Sequence, residues 1–90
     1  MNRWTQDPEE RADYNITLVS DDGDTFGHFD SPEFSAPGLT SDGVDIAGAR
    51  AKLWLVCDEE ITDQEFEVRM KAYTVNGREP IVKFIVHIKR

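Results

Sequence analysis

The side chains with the greatest capacity for chemistry are the acids of the stretch DDGDTFGHFDSPE, residues 21–33. Counted from Asp22, the acids Asp22, Asp24, Asp30 and Glu33 fall at positions 1, 3, 9 and 12 of a calcium-binding EF-hand loop, and Gly27 falls at position 6. Such a set would supply a cage of hard oxygen ligands to a divalent cation. Position 5, however, is Phe26, which has no side-chain oxygen, and position 11 is Pro32. The residues that precede the loop alternate as a strand does, where an EF-hand requires a helix. The stretch therefore reads as a turn, Asp21-Asp22-Gly23-Asp24, joining a strand over 14–20 to a return strand over 25–29, with Phe26 directed into a core. No metal is expected.

The other reactive side chains are isolated. His28 and His87 each fall in an expected strand, with no H-x-x-x-H or C-x-x-C neighbour. With Glu67 across a hairpin, His87 reads as a polar partner on a sheet surface. The single cysteine, Cys57, excludes an internal disulfide and a multi-cysteine zinc site, and at the end of an apolar run it reads as a small buried hydrophobe. Ser20, Ser31, Ser35 and Ser41 lie in turns without a nucleophile-elbow pattern. Glycoside chemistry by Asp58, Glu59 and Glu60 would need a cleft for which a 90-residue domain has little room. The expectation is a protein with no catalytic residues and no cofactor.

The elements that must position these groups are β-strands. Tyr14, Ile16 and Leu18 alternate with Asn15 and Thr17, as in a half-buried strand. Residues 30–48 contain Pro32 and Pro37 and read as loop with short edge strands, for example 44–46. The run 52–57, KLWLVC, reads as a central strand covered on both faces. Phe66, Val68, Met70 and Ala72 alternate with charged residues, and Val82, Phe84, Val86 and Ile88 repeat the pattern after Val75-Asn76-Gly77. A three-residue loop with Gly77 left-handed pairs Thr74 with Arg78 and sets Met70, Val68 and Phe66 opposite Val82, Phe84 and Val86. The same register puts Arg69 against Lys83 and Glu67 against Ile85.

The whole is expected to be all-β, a small immunoglobulin-like β-sandwich of five to seven strands over residues 14–90. Residues 1–13 read as a short N-terminal arm, with one possible helical turn opened by Asp7-Pro8-Glu9-Glu10. In such an arm Trp4 is either an anchor on the domain or a partner contact. No run approaches the ~20 apolar residues of a membrane-spanning helix, and residues 1–10 lack a signal-peptide core.

The formal net charge of −8 is unevenly spread. Residues 1–67 hold 17 acids and four bases, whereas residues 68–90 hold one acid, Glu79, and six bases. Opposed halves could stack copies head to tail; alternatively, the bias disappears when the chain folds into a mixed-charge surface. Nucleic acid and membrane are not expected partners, because the acidic bulk repels phosphate.

Taken in order, Asp7-Pro8-Glu9-Glu10, Asp13-Tyr14-Asn15-Ile16, Gly23-Asp24-Thr25, Pro37-Gly38-Leu39-Thr40, Trp54-Leu55, Val68 with Thr74, and Asn76-Gly77-Arg78 resemble a family of small tailed-phage virion proteins, the fibre–tail adaptors or minor structural proteins. The chain departs from it after Trp54-Leu55, where Val56-Cys57-Asp58-Glu59-Glu60 replaces a small Ser/Gly-rich turn. The resemblance implies an immunoglobulin-like, non-enzymatic virion component, made in the host cytoplasm, that bridges larger head, tail or fibre proteins and occurs in several copies in a symmetric assembly. Trp4, Arg78, Lys89 and Arg90 are the candidate partner contacts. The alternatives are a capsid decoration protein and an acidic, nucleic-acid-mimicking inhibitor of a host enzyme.

Overall fold

A computed structural model describes residues 2–89. These residues form the strands β1 (Asn2–Gln6), β2 (Ala12–Thr17), β3 (Phe26–Phe29), β4 (Glu33–Phe34), β5 (Leu39–Ala47), β6 (Arg50–Cys57), β7 (Asp63–Thr74) and β8 (Ile81–Lys89), and among the described residues there is no helix. One sheet runs β1-β8-β7-β3, with β4 also on β7, and the second runs β2-β6-β5. The facing orders β2-β6-β5 and β3-β7-β8 correspond to the B-E-D and C-F-G strands of an immunoglobulin-type sandwich. The expected all-β sandwich is therefore present. It has more strands than the five to seven expected, because β1 and the two-residue β4 add to the set.

The β7–β8 hairpin forms in the register that its turn chemistry dictates. Phe66 pairs with Val86, Val68 with Phe84 and Met70 with Val82, and all but the partly buried Val82 are buried. Gly77 takes a φ of 88°, and the Thr74 N–H donates to the Arg78 carbonyl at 2.9 Å. The opposite sheet contributes Tyr14, Ile16, Leu39, Leu53 and Leu55 to the same core. Tyr14 stacks on Phe84 with ring centroids 5.3 Å apart, which ties the two sheets together.

Several expectations change. The acidic turn does not close a hairpin. β2 pairs with β6, whereas β3 pairs with β7, so residues 18–25 cross from one sheet to the other. Inward Tyr14 and Ile16 thus face inward Phe26 across the core, where a hairpin would have placed all three in one sheet. The run 52–57 is covered on one face only: Leu53 and Leu55 are buried, while Lys52 and Trp54 alternate outward. Outward Trp54 is stabilised by the Arg11 guanidinium 4.0 Å above its ring and by an Nε1–H bond to Asp45 at 2.9 Å. Residues 30–48 are more ordered than expected. The β3 edge stops at Ser31-Pro32, where proline has no N–H to donate, and resumes as β4. In β5, Gly43, with a φ of 108°, lies in a register shift between Ser41 and Val44, a bulge on an edge strand.

Residues 2–6, expected in an arm, are strand β1, which lies parallel to β8 from Asn2 opposite Phe84 to Gln6 opposite Ile88. Its anchor is Gln6, which has no solvent exposure. Gln6 Nε2–H donates to the carbonyls of Glu10 (2.9 Å) and Leu55 (3.2 Å), and Gln6 Oε1 accepts from the Tyr14 hydroxyl at 2.6 Å. Burial, and then the charges of Glu10 and Asp13, push the Tyr14 pKa upward, so the phenol remains a neutral donor. The Asp7 turn follows. The Glu9 N–H donates to Asp7 Oδ1 at 2.9 Å, and the Asp7 N–H donates to Glu10 Oε1 at 3.2 Å. This is a reciprocal cap without a helix, because β2 begins at Ala12.

Candidate interaction surfaces

Two acids of the opening stretch, Asp22 and Asp24, are engaged by the β7–β8 turn, while Asp30 accepts from the Tyr73 hydroxyl and Glu33 pairs with Arg69 on β7. Asp24 is only 3% exposed, and its Oδ1 accepts the N–H of Thr25 (2.9 Å) and of Asn76 (3.0 Å). Arg78 sends Nη1 to Asp24 Oδ2 at 3.4 Å and to Ser20 Oγ at 2.9 Å, and Nη2 to Asp22 Oδ2 at 2.9 Å. Asn76 Nδ2 adds a bond to Asp22 at 3.3 Å, and the Val75 N–H donates to the Thr25 carbonyl at 2.9 Å. The 18–25 crossing and the 75–78 turn are thereby fastened into one unit at one end of the sandwich. The β5–β6 turn joins them, accepting the N–H of Leu18 at Ala49 and of Phe26 at Gly48.

The electrostatics follow from this geometry. Hydrogen bonding from Ser20 and then the Arg78 guanidinium hold the Asp22 carboxyl well below the usual carboxylate range. For Asp24, desolvation is the largest influence and pushes upward. Hydrogen bonds from Thr74, Asn76 and Thr25, aided by Arg78, together outweigh it, so the net displacement is downward. Both folded-state pKa values lie below the unfolded value of about 3.9, so the latch stabilises the fold above that pH and loses its contribution as pH falls through the folded values. The melting temperature of Arg78→Leu should thus lie below that of the wild-type chain at pH 7, with the gap closing towards pH 2. A gap that stays constant on acidification would show that the latch does not carry this stability.

The second surface lies between the free edges of the two sheets, where β1 and β2 leave an opening. Trp4 sits there with its ring edge-on to Tyr14, centroids 5.9 Å apart, and remains 45% exposed. β1 covers the β8 edge only over 84–88, so a groove of about 290 Å³ remains, lined by the apolar Trp4, Tyr14, Ile16, Ile81, Val82 and Phe84 and the polar Asn15, Thr17 and Lys83. Trp4 is therefore both an anchor on the domain and an exposed aromatic.

The four candidate partner residues do not form one patch. Trp4 pairs in register with Val86, and Lys89 is exposed at the far end of β8. Arg78 lies at the other end, roughly 35 Å from Lys89 at about 3.3 Å per residue, and is committed to Asp22 and Asp24. Arg90 lies outside the described residues. His87 pairs with Asp63, not with Glu67, since the register sets Glu65 opposite His87 and Glu67 opposite Ile85. Cys57 is partly buried against the core. Sequence reasoning missed Gln6, a polar residue in a supposed arm, and the exposed Val19 and Val75, which resemble ordinary strand residues. Only Val75, the non-turn-former in a turn, carried a legible signal.

Folding pairs part of the charge asymmetry. Of the C-terminal bases, Arg69 pairs with Glu33, Lys71 with Glu79, and Arg78 with Asp22 and Asp24. Arg69 and Arg78 thereby meet acids of residues 1–67, while Lys71 and Glu79 pair within residues 68–90. Among the described residues, no group of three or more His, Cys, Asp or Glu side chains is disposed to hold a metal ion. No protein-family model matches the chain, and no curated protein matches it.

Proposed function

We propose that this chain is a non-enzymatic structural component of a tailed-phage virion, an adaptor bridging larger head, tail or fibre proteins. The observation that carries this reading is the placement of Trp4. A tryptophan, the residue type most enriched among interface hot spots, stands half exposed beside a groove of mixed polar and apolar lining on a strand pinned at Gln6. Pinning reduces the entropy lost on docking. The ordered motif resemblance supplies the virion setting. An acidic inhibitor would need one extended negative face, and the pairing of Asp22, Asp24 and Glu33 with bases works against it.

The reading is tested by Trp4→Ala in phage particles purified on a density gradient. Loss of one half-exposed aromatic contact should cost the isolated domain about 1 kcal/mol. Incorporation into particles should fall far more than that loss of stability explains. Incorporation equal to that of the wild-type chain would remove Trp4 from the interface.

A further inference from the structure

Resting on the adaptor reading, we infer that a partner docks by adding an extended strand to the free edge of β2, in the groove beside Trp4. Along β2 the register pairs Ala12 with Leu55, Tyr14 with Leu53 and Ile16 with Ala51. Just beyond it, the Leu18 N–H donates to the Ala49 carbonyl at 2.8 Å. In an antiparallel pair, residues that exchange hydrogen bonds alternate with residues that do not. The even-numbered residues of β2 therefore bond to β6. The N–H and C=O groups of Asp13, Asn15 and Thr17 point the other way, where no strand pairs with β2 among the described residues.

The β5 edge bulges at Gly43, and Pro32 interrupts the β3–β4 edge, so both are blunted against further pairing. β2 has no proline and no register shift, and its one charged side chain, Asp13, lies 3.9 Å from Lys52 on the neighbouring strand. Across the groove, the β8 edge is uncovered over 81–83 among the described residues, because β1 begins opposite Phe84. Tyr14, Ile16, Val82 and Phe84 line the groove between these edges, with the half-exposed Trp4 beside them. A strand fits this geometry. Its backbone continues the β2 ladder, and every second side chain enters the groove against those residues. A second copy pairing through its own β2 could not fill the groove, since its Tyr14 and Ile16 are already buried in its own core. The occupant is therefore an extended segment of a larger virion protein, with apolar side chains at alternate positions. Lys83, the one charged residue lining the groove, forms no ion pair among the described residues, so an acid beside it completes the match.

The test is a phage whose own copy of the chain carries Asn15→Pro, with Asn15→Thr and Lys83→Glu as further variants. Proline at 15 removes an N–H that β6 does not use, so the purified variant should melt within a few degrees of wild type. Its incorporation into gradient-purified particles should fall about tenfold, as the edge loses a hydrogen bond and gains a ring in the path of the added strand. Asn15→Thr keeps the N–H and should be incorporated like wild type, whereas Lys83→Glu should show a smaller loss. In wild-type particles the amides of Asp13, Asn15 and Thr17 should exchange with deuterium about tenfold more slowly than in the purified chain, a comparison that needs no variant to fold. Undiminished incorporation of Asn15→Pro, or amides no slower in particles, overturns the strand site and, with wild type incorporated, leaves the adaptor reading intact. An equal loss in Asn15→Thr would assign the contact to the side chain and overturn strand addition. Absence of the wild-type chain from particles overturns both readings. Self-association of the purified chain that Asn15→Pro abolishes would make the occupant a second copy and overturn the partner named here.

Discussion

Gly38→Ala is expected to destabilise the fold by about 2–4 kcal/mol, from a left-handed backbone and an overfilled core acting together. Gly38 has a φ of +129°, and a Cβ there would lie 2.1 Å from Ile61 Cδ1 and 3.2 Å from Phe66 Cζ. Ile61 is only partly buried and can turn aside, but Phe66 is fully buried between strands and cannot. The backbone is also fixed, because the Gly38 carbonyl accepts the Asp58 N–H at 2.9 Å. Gly23→Ala supplies the control: its φ is +72°, yet a Cβ there meets nothing within 4 Å, so only the backbone term of about 1 kcal/mol applies. Urea denaturation of the two variants separates packing from strain. Equal losses would contradict the packing account.

Gln6→Leu should cost about 2–4 kcal/mol, since it leaves the Tyr14 hydroxyl and the carbonyls of Glu10 and Leu55 without their partner in a buried site. Stability for a chain of this length is on the order of 5–13 kcal/mol, so the loss is a large fraction of the total. Tyr14→Phe should cost less, about 1–2 kcal/mol, because only Gln6 Oε1 loses a donor. The double variant should fall short of the sum, the signature of a shared hydrogen bond. Gln6→Leu should also loosen β1 and shift the emission of Trp4 towards that of a solvated indole. Strict additivity, with unchanged emission, would mean that Gln6 does not anchor the strand that presents Trp4.

How much of this was legible in the sequence differs by element. The β7–β8 hairpin was readable to the residue, because Gly77 determines the turn and a one-residue slip would have moved Phe66, Val68 and Met70 out of the core. The core position of Phe26 was readable for the same reason of alternation. Pairing between distant strands was not: nothing local in residues 14–29 says whether the chain returns to its own sheet or crosses to the other. The latch depends on Asp24 and Arg78, which are 54 residues apart in sequence, and their meeting requires the completed fold. Gln6 was illegible because a buried polar residue is acceptable only when its partners are in place, and those partners lie on a later turn and on β6.

The motifs behind the virion resemblance acquire a physical meaning here. Asp7 and Glu10 form the cap after β1, Asp24 is the buried centre of the latch, Gly38 leaves room for Phe66, and Gly77 turns the hairpin. These residues specify a fold more than they specify a partner. On the adaptor reading proposed above, partner choice rests on Trp4 and its groove, which are separate from those motifs. The opening acidic stretch follows the same pattern, as its EF-hand spacing belongs to a segment whose Asp22 and Asp24 are held by Arg78 and backbone N–H groups, Asp30 by the Tyr73 hydroxyl and Glu33 by Arg69.

The central claim, a virion adaptor, is tested most directly by quantitative mass spectrometry of gradient-purified particles. The account predicts the chain in every preparation, at a fixed low multiple of a tail or fibre component and below the number needed to cover a shell. A shell-covering copy number would make it a decoration protein, and its absence from particles while abundant in the infected-cell lysate would contradict the claim outright.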